Sequence, residues 1–264
     1  MATRSALLNV MIRAADKAAR KLKRDFGEVA NLQVSRKGPA DFVSAADLRA
    51  EAILREELSR ARPDYAWLME ESGGSPGHER APRRWIVDPL DGTSNFLHGL
   101  PHFAISIAAE HDGELVAGVI YDPTKDEMFY AEKGAGAYLN DRRIRVSSRR
   151  RLNEALIATG VPFSGRGDAE RFSAELKAVA GVSAGIRRWG SAALDLAYVA
   201  AGRYDGYWER DLAPWDTAAG VVLVREAGGH VSRIDGKPFD LDMPSILAGN
   251  EAIHPALVRI LRAP

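Results

Sequence analysis

The chain has 264 residues, with 36 Lys and Arg against 36 Asp and Glu, so its formal net charge is zero. Hydrophobic residues make up 46 % and charged residues 27 %, too apolar for general disorder. A chain of this length buries roughly 70–75 % of its unfolded surface and needs no staples. Zero net charge argues against a surface that attracts nucleic acid or anionic membrane as a whole. With no Cys there are no disulfides, thiolate metal sites or cysteine nucleophiles.

At the start of the chain, Leu7, Leu8, Met11, Ala15, Ala18, Leu22 and Phe26 draw one face of a helix. This stretch lacks the unbroken apolar run and cleavage site of a secretory signal. No uncharged apolar run approaches the ~18 residues of a membrane span. A cytoplasmic protein is expected, with its first helix packed on the fold. A short strand follows over residues 31–36. Ser44 is placed to cap a second helix, through Ile53, Leu54 and Leu58, with Asp47 in the first turn. Apolar runs at 66–69 and 85–87 each lead straight into acidic residues. They are joined by a Gly-, Pro- and charge-rich loop, 72–84, with the composition of a mobile segment. Residues 103–110, 115–121 and 127–131 read as a strand meander, with turns at His111-Asp112-Gly113 and Asn140-Asp141.

The second half alternates. Strands are expected at 155–159, 185–188, 205–208, 231–232 and 246–248, with helices at 168–180, 191–201, 214–227 and 255–261. The fold class is therefore α+β in layers, with two tightly packed halves, 1–147 and 148–264, and a boundary near 147–152.

The chemistry concentrates in four acids. Glu70 ends the run Trp-Leu-Met-Glu-Glu-Ser; Asp88 and Asp91 sit in Trp-Ile-Val-Asp-Pro-Leu-Asp-Gly-Thr; Asp216 sits in Pro-Trp-Asp-Thr-Ala-Ala-Gly. Each taken alone is an ordinary turn or helix-start acid. Together, Asp88 and Asp91 are held in a turn stiffened by Pro89. Gly92 lets a ligand approach the backbone, and the amides of Gly92, Thr93 and Ser94 are placed to meet an anion if a helical turn starts there. Carboxylates and phosphate repel unless cations intervene, and hard divalent ions with oxygen ligands satisfy both. The sum reads as metal-assisted phosphate chemistry.

Several segments resemble the inositol monophosphatase family in order and spacing. They are Gly38-Pro-Ala-Asp-Phe-Val-Ser-Ala-Ala-Asp47, Glu70-Glu71-Ser72, Trp85 through Phe96, Gly190 through Gly202, and Trp215-Asp216-Thr-Ala-Ala-Gly220. The resemblance spans nearly the whole chain. It implies a layered αβαβα sandwich, a homodimer, lithium sensitivity, and two to three Mg2+ ions. It implies one ion on Glu70, Asp88 and the Leu90 carbonyl, a second on Asp88, Asp91 and Asp216, and a weaker third near Glu70. By the same resemblance, Asp47 and Thr93 position and deprotonate the attacking water, and the Gly92 and Thr93 amides hold phosphate, with Ser94 beside them. Glu209 would contact substrate hydroxyls, with Gly190, Ser191 and Ala192 lining the pocket; Asp195 reads as structural.

The implied activity is hydrolysis of inositol monophosphate. Fructose 1,6-bisphosphate, histidinol phosphate and 3′-phosphoadenosine 5′-phosphate are the alternatives within the family. A different class, an RNA- or protein-binding regulator on the same scaffold, is suggested by six arginines within 142–151. No aromatics interleave there, so nucleic acid is not the expected partner and the cluster reads as solvated or interface surface. Arg36 and Lys37 bring positive charge close to the weaker ion site. His98 and His102 flank Pro101 and read as structural. Gly134-Ala-Gly136 reads as a turn.

Overall fold

In the computed structural model, Ser5 opens the first helix by accepting the Leu8 N–H at 3.1 Å. The structure describes residues 4–28, 34–36, 42–163 and 165–262. Helix α1 (Ala6–Phe26) buries Leu8, Met11, Ala15, Ala18 and Leu22, the stripe expected from its spacing. It packs beside α2 (Ala45–Ala61), and both cover one face of a large sheet. Strands β1 (Val34–Arg36) and β2 (Phe42–Ser44) form a separate antiparallel pair. The expected strand start at 31–33, the Lys37 position and the Ser44 cap lie outside the described residues and side chains.

The large sheet comprises β3 (Ala66–Met69), β4 (Gly73–Gly74), β5 (Arg83–Asp91), β6 (Ala104–His111), β7 (Glu114–Asp122), β8 (Glu127–Glu132), β9 (Gly136–Leu139) and β10 (Arg142–Ile144). Its order is β10-β9-β8-β7-β6-β5-β3-β4, and β5 is parallel to β3 but antiparallel to β6. The expected meander is present. Both two-residue turns use positive φ, at Asp112 and Gly113 and at Asn140 and Asp141, as tight hairpins require. The loop expected at 72–84 instead contributes β4 and a 3-10 turn at His78–Arg80. Strand β5 runs through Pro89 to Asp91, with a register shift between Asp88 and Asp91.

Along β6, Ile105, Ile107 and Ala109 face α1 and α2, whereas Ala104 and Ala108 face the other side. Burial on both faces explains the nearly continuous apolar runs. On that second face lie α5 (Ala192–Ala200) and α6 (Pro214–Glu226). Gly118 on β7 permits this contact, since a Cβ there would lie 2.5 Å from the Ala219 carbonyl oxygen. Beyond these helices comes the second sheet: β11 (Leu156–Thr159), β12 (Gly185–Arg187), β13 (Gly206–Arg210), β14 (His230–Ser232) and β15 (Ser245–Gly249), in the order β12-β11-β13-β15-β14. Helices α4 (Ala169–Ala180) and α7 (Ile253–Leu261) close the outer face, packing Val179 and Leu257 against Ile157 and Trp208 of the sheet. The layers are therefore αβαβα.

Candidate active site

The parallel pairing of β3 with β5 carries Glu70 and Glu71, just past β3, alongside the end of β5. Ligand-capable oxygens of Asp88, Asp91 and Asp216 lie within 4.8 Å of one another, and so do those of Asp47, Glu70 and Glu71. Asp47 comes from the first turn of α2, and Asp216 from the first turn of α6 after Pro214. The Asp216 carboxylate accepts the Ala213 N–H at 2.7 Å, which anchors it across the helix start. Asp88 accepts the Leu90 N–H at 2.9 Å, tightening the turn around Pro89.

A cavity of about 490 Å3 collects Glu70, Asp88, Leu90 and Asp91 with Gly92, Thr93 and Ser94. Gly190, Ser191, Ala192, Glu209 and Asp216 line the same cavity. Gly92 has φ +92°, and a Cβ there would crowd the His102 carbonyl at 3.1 Å, so glycine is required on both counts. It precedes the short helix α3 (Thr93–Leu97), and the Thr93 hydroxyl donates to the Leu90 carbonyl at 2.9 Å. Asn95 donates to the carbonyls of His102 and Trp189, both at 2.8 Å, tying this turn to the approach to α5.

Ser191 does more than line the wall. Its hydroxyl caps α5 by accepting the Leu194 N–H at 3.3 Å, and it donates to Asp91 Oδ2. The same oxygen accepts the Ala193 N–H at 2.8 Å, so Asp91 sits on the positive end of α5.

Burial pushes the Asp91 carboxyl up to about 6, against the pull of these hydrogen bonds. Asp88 is driven well above the carboxylate range by burial and then by Glu70, Asp91, Asp216 and Asp47, all acidic. Asp216 is raised by burial and Asp91. A buried set of oxygen donors that repel one another is what a divalent cation relieves, so these residues fit hard metal ions.

Across the cavity, Glu209 on β13 accepts the Tyr207 hydroxyl at 2.7 Å and is pushed by burial up to about 7. Gly160 leaves room for it, because a Cβ there would stand 1.8 Å from Glu209 Oε1. Asp195 is buried with no hydrogen-bond partner at Oδ1 among the described residues, and burial and Glu209 raise it well above its ordinary value. His102 is buried and held down to about 4, chiefly by burial, whereas His98 is exposed. Sequence reasoning missed Glu71, Gly160, Arg166 and Arg188. The doubled acid Glu70-Glu71 was a usable signal; the two cavity arginines had none.

Layers and carboxylates together define the class, an α+β sandwich whose buried acidic site fits metal ions. A crystal structure of an extragenic suppressor protein suhB from Bartonella henselae superposes with a TM-score of 0.94 at 56 % identity, covering 98 % of this chain and 99 % of that one. An inositol-1-monophosphatase of Rhizobium meliloti is 58 % identical over 261 residues, 99 % of this chain and 98 % of the relative. A protein of Pseudomonas aeruginosa named Nus factor SuhB is 43 % identical, covering 97 % of this chain and 96 % of its own. The sequence model of the inositol monophosphatase family matches residues 3–263. The chain belongs to the inositol monophosphatase family. Among the described residues no helix is long and apolar enough to cross a membrane.

Proposed function

We propose that the protein is a Mg2+-dependent phosphomonoesterase that hydrolyses myo-inositol 1-phosphate to inositol and phosphate. The observation that supports it most is the cavity lined by Glu70, Asp88, Asp91 and Asp216 with Glu209 on its wall, where Asp88, Asp91 and Asp216 cluster and Glu70 clusters with Asp47 and Glu71. Glu70, Asp88 and the Leu90 carbonyl would hold one ion and Asp88, Asp91 and Asp216 a second, with a third near Glu70 and Glu71. Mg2+ held there would neutralise these carboxylates and the phosphate and would supply an acidified water.

The protein's own groups orient the reaction. The Thr93 proton is committed to the Leu90 carbonyl, which leaves lone pairs on Thr93 Oγ1 to accept from the attacking water, with Asp47 as the base. The Gly92 and Thr93 amides and Ser94 hold phosphate oxygens. Glu209 accepts substrate hydroxyls, while Gly190, Ser191 and Ala192 form the adjoining wall. The half 1–147 thus supplies most ligands, and the half 148–264 supplies Asp216 and the polyol wall. On this reading the enzyme is a cytoplasmic, lithium-inhibited homodimer.

Arg166 and Arg188 in the same cavity favour one further reading, a substrate with a second phosphate such as fructose 1,6-bisphosphate. The test is phosphate release from inositol 1-phosphate, fructose 1,6-bisphosphate, histidinol phosphate, 3′-phosphoadenosine 5′-phosphate and β-glycerophosphate. Asp91→Asn and EDTA serve as controls. Preference for inositol 1-phosphate that both controls abolish supports the first reading, and preference for another ester overturns it. Loss of a metal ligand costs several kcal/mol of transition-state stabilisation, so Asp91→Asn should fall by about 10²-fold or more.

A further inference from the structure

The ten residues from 142 to 151 hold six arginines and no acid, leaving 30 basic against 36 acidic side chains in the rest of a neutral chain. The segment is therefore a dense local run of positive charge in a neutral chain, and it joins the two large sheets.

This segment is not a loose tail. Its start, β10, pairs with β9. The Val146 N–H donates to the Ala227 carbonyl at 3.1 Å, and the Ser147 hydroxyl donates to the buried Asp205. Asn250 donates to Ser147 Oγ at 2.9 Å and to the Arg149 carbonyl at 2.8 Å. The polar interior of the strap is spent on the fold, and all six arginines are exposed. Arg149 pairs with Asp205 and Arg151 with Glu154. Arg142, Arg143, Arg145 and Arg150 form no ion pair among the described residues. Four exposed guanidiniums without an ion-pair partner, carried on a pinned backbone, keep their planar forks open to anions, and those forks match phosphate oxygens.

We propose that residues 142–151 are a docking strap for the phosphate backbone of a nucleic-acid duplex, independent of the hydrolytic cavity. Ten extended residues reach at most about 35 Å, enough to meet several phosphates. The segment has no aromatic side chain, so stacking contributes nothing and binding is tolerant of sequence. The strap binds by counterion release, with a steep salt dependence.

The test uses the full-length protein and fluorescence anisotropy with labelled RNA and DNA duplexes of about 20 base pairs, between about 50 and 200 mM salt. Four arginine–phosphate contacts give a log–log slope near −3.6 and about a 10²-fold loss of affinity over that range. The variant R142Q/R143Q/R145Q/R150Q should lose most of the binding and most of the slope, while keeping the wild-type circular dichroism spectrum and phosphatase rate. If the quadruple variant fails to fold, R142Q/R143Q and R145Q/R150Q should each remove about half the slope. No binding by the wild type at the lowest salt overturns the proposal, and so does unchanged affinity and slope in the variants. Loss of a wild-type dimer in the variant, without any duplex binding, would instead assign the strap to self-association and overturn it too.

Discussion

Replacing Ser191 by Ala probes how the cavity keeps Asp91 ready for a cation. The substitution deletes the hydroxyl that donates to Asp91 Oδ2 and accepts the Leu194 N–H. Loss of the cap costs about 1 kcal/mol of stability, and loss of a hydrogen bond to a buried carboxylate about 1.5–3 kcal/mol. The second loss falls on the ionised form of Asp91. Its carboxyl already stands at about 6, and Ser191 is the strongest influence holding it down, so the variant moves it higher. A ligand must shed its proton to take a metal, and supporting partners of this kind are worth about 10–100-fold in affinity. Calorimetric titration of the metal-free protein with Mg2+ should show that loss near about pH 6.5, and a smaller one near about pH 8.5, where Asp91 is ionised in both proteins. Ser191→Thr, which keeps a hydroxyl, should restore binding. Wild-type affinity in Ser191→Ala at both pH values would refute this account of the Asp91–α5 contact.

Gly160→Ala places a Cβ 1.8 Å from Glu209 Oε1; steady-state kinetics should show KM for the inositol ester raised about 10-fold or more, with kcat less affected. Glu209 at about 7, against an ordinary 4.5, retains its proton in the folded state while the unfolded chain ionises. Its stabilising effect is present below about 4.5 and is lost as pH rises to about 7. Glu209→Gln should therefore gain stability relative to the metal-free wild type between about pH 5 and 8, by up to about 3 kcal/mol in urea titrations. Gly118→Ala forces a Cβ against the Ala219 carbonyl oxygen at 2.5 Å and should cost about 1–3 kcal/mol, read from the urea midpoint.

What could be read from the chain is what short-range chemistry dictates. The stripe of α1, the meander, the positive-φ turns at Asp112-Gly113 and Asn140-Asp141, and the acids closing the apolar runs depend on neighbours a few residues apart. Periodicity and turn chemistry report such features directly. The five layers entered through a resemblance, since alternating strands and helices set the class but not the stacking order. Asp88 and Asp91 were legible as a pair because Pro89 and Gly92 frame them. Other features were set by packing. The parallel β3–β5 register brings Glu71 in with Asp47, and α5 seats Ser191 on Asp91 across 100 residues. Arg166 and Arg188 share a cavity with carboxylates from distant segments. Such encounters depend on which sheet edge or helix end stands opposite which, and burial across the whole fold decides that. Local sequence carries the residue types a site needs; only tertiary packing decides which of them meet.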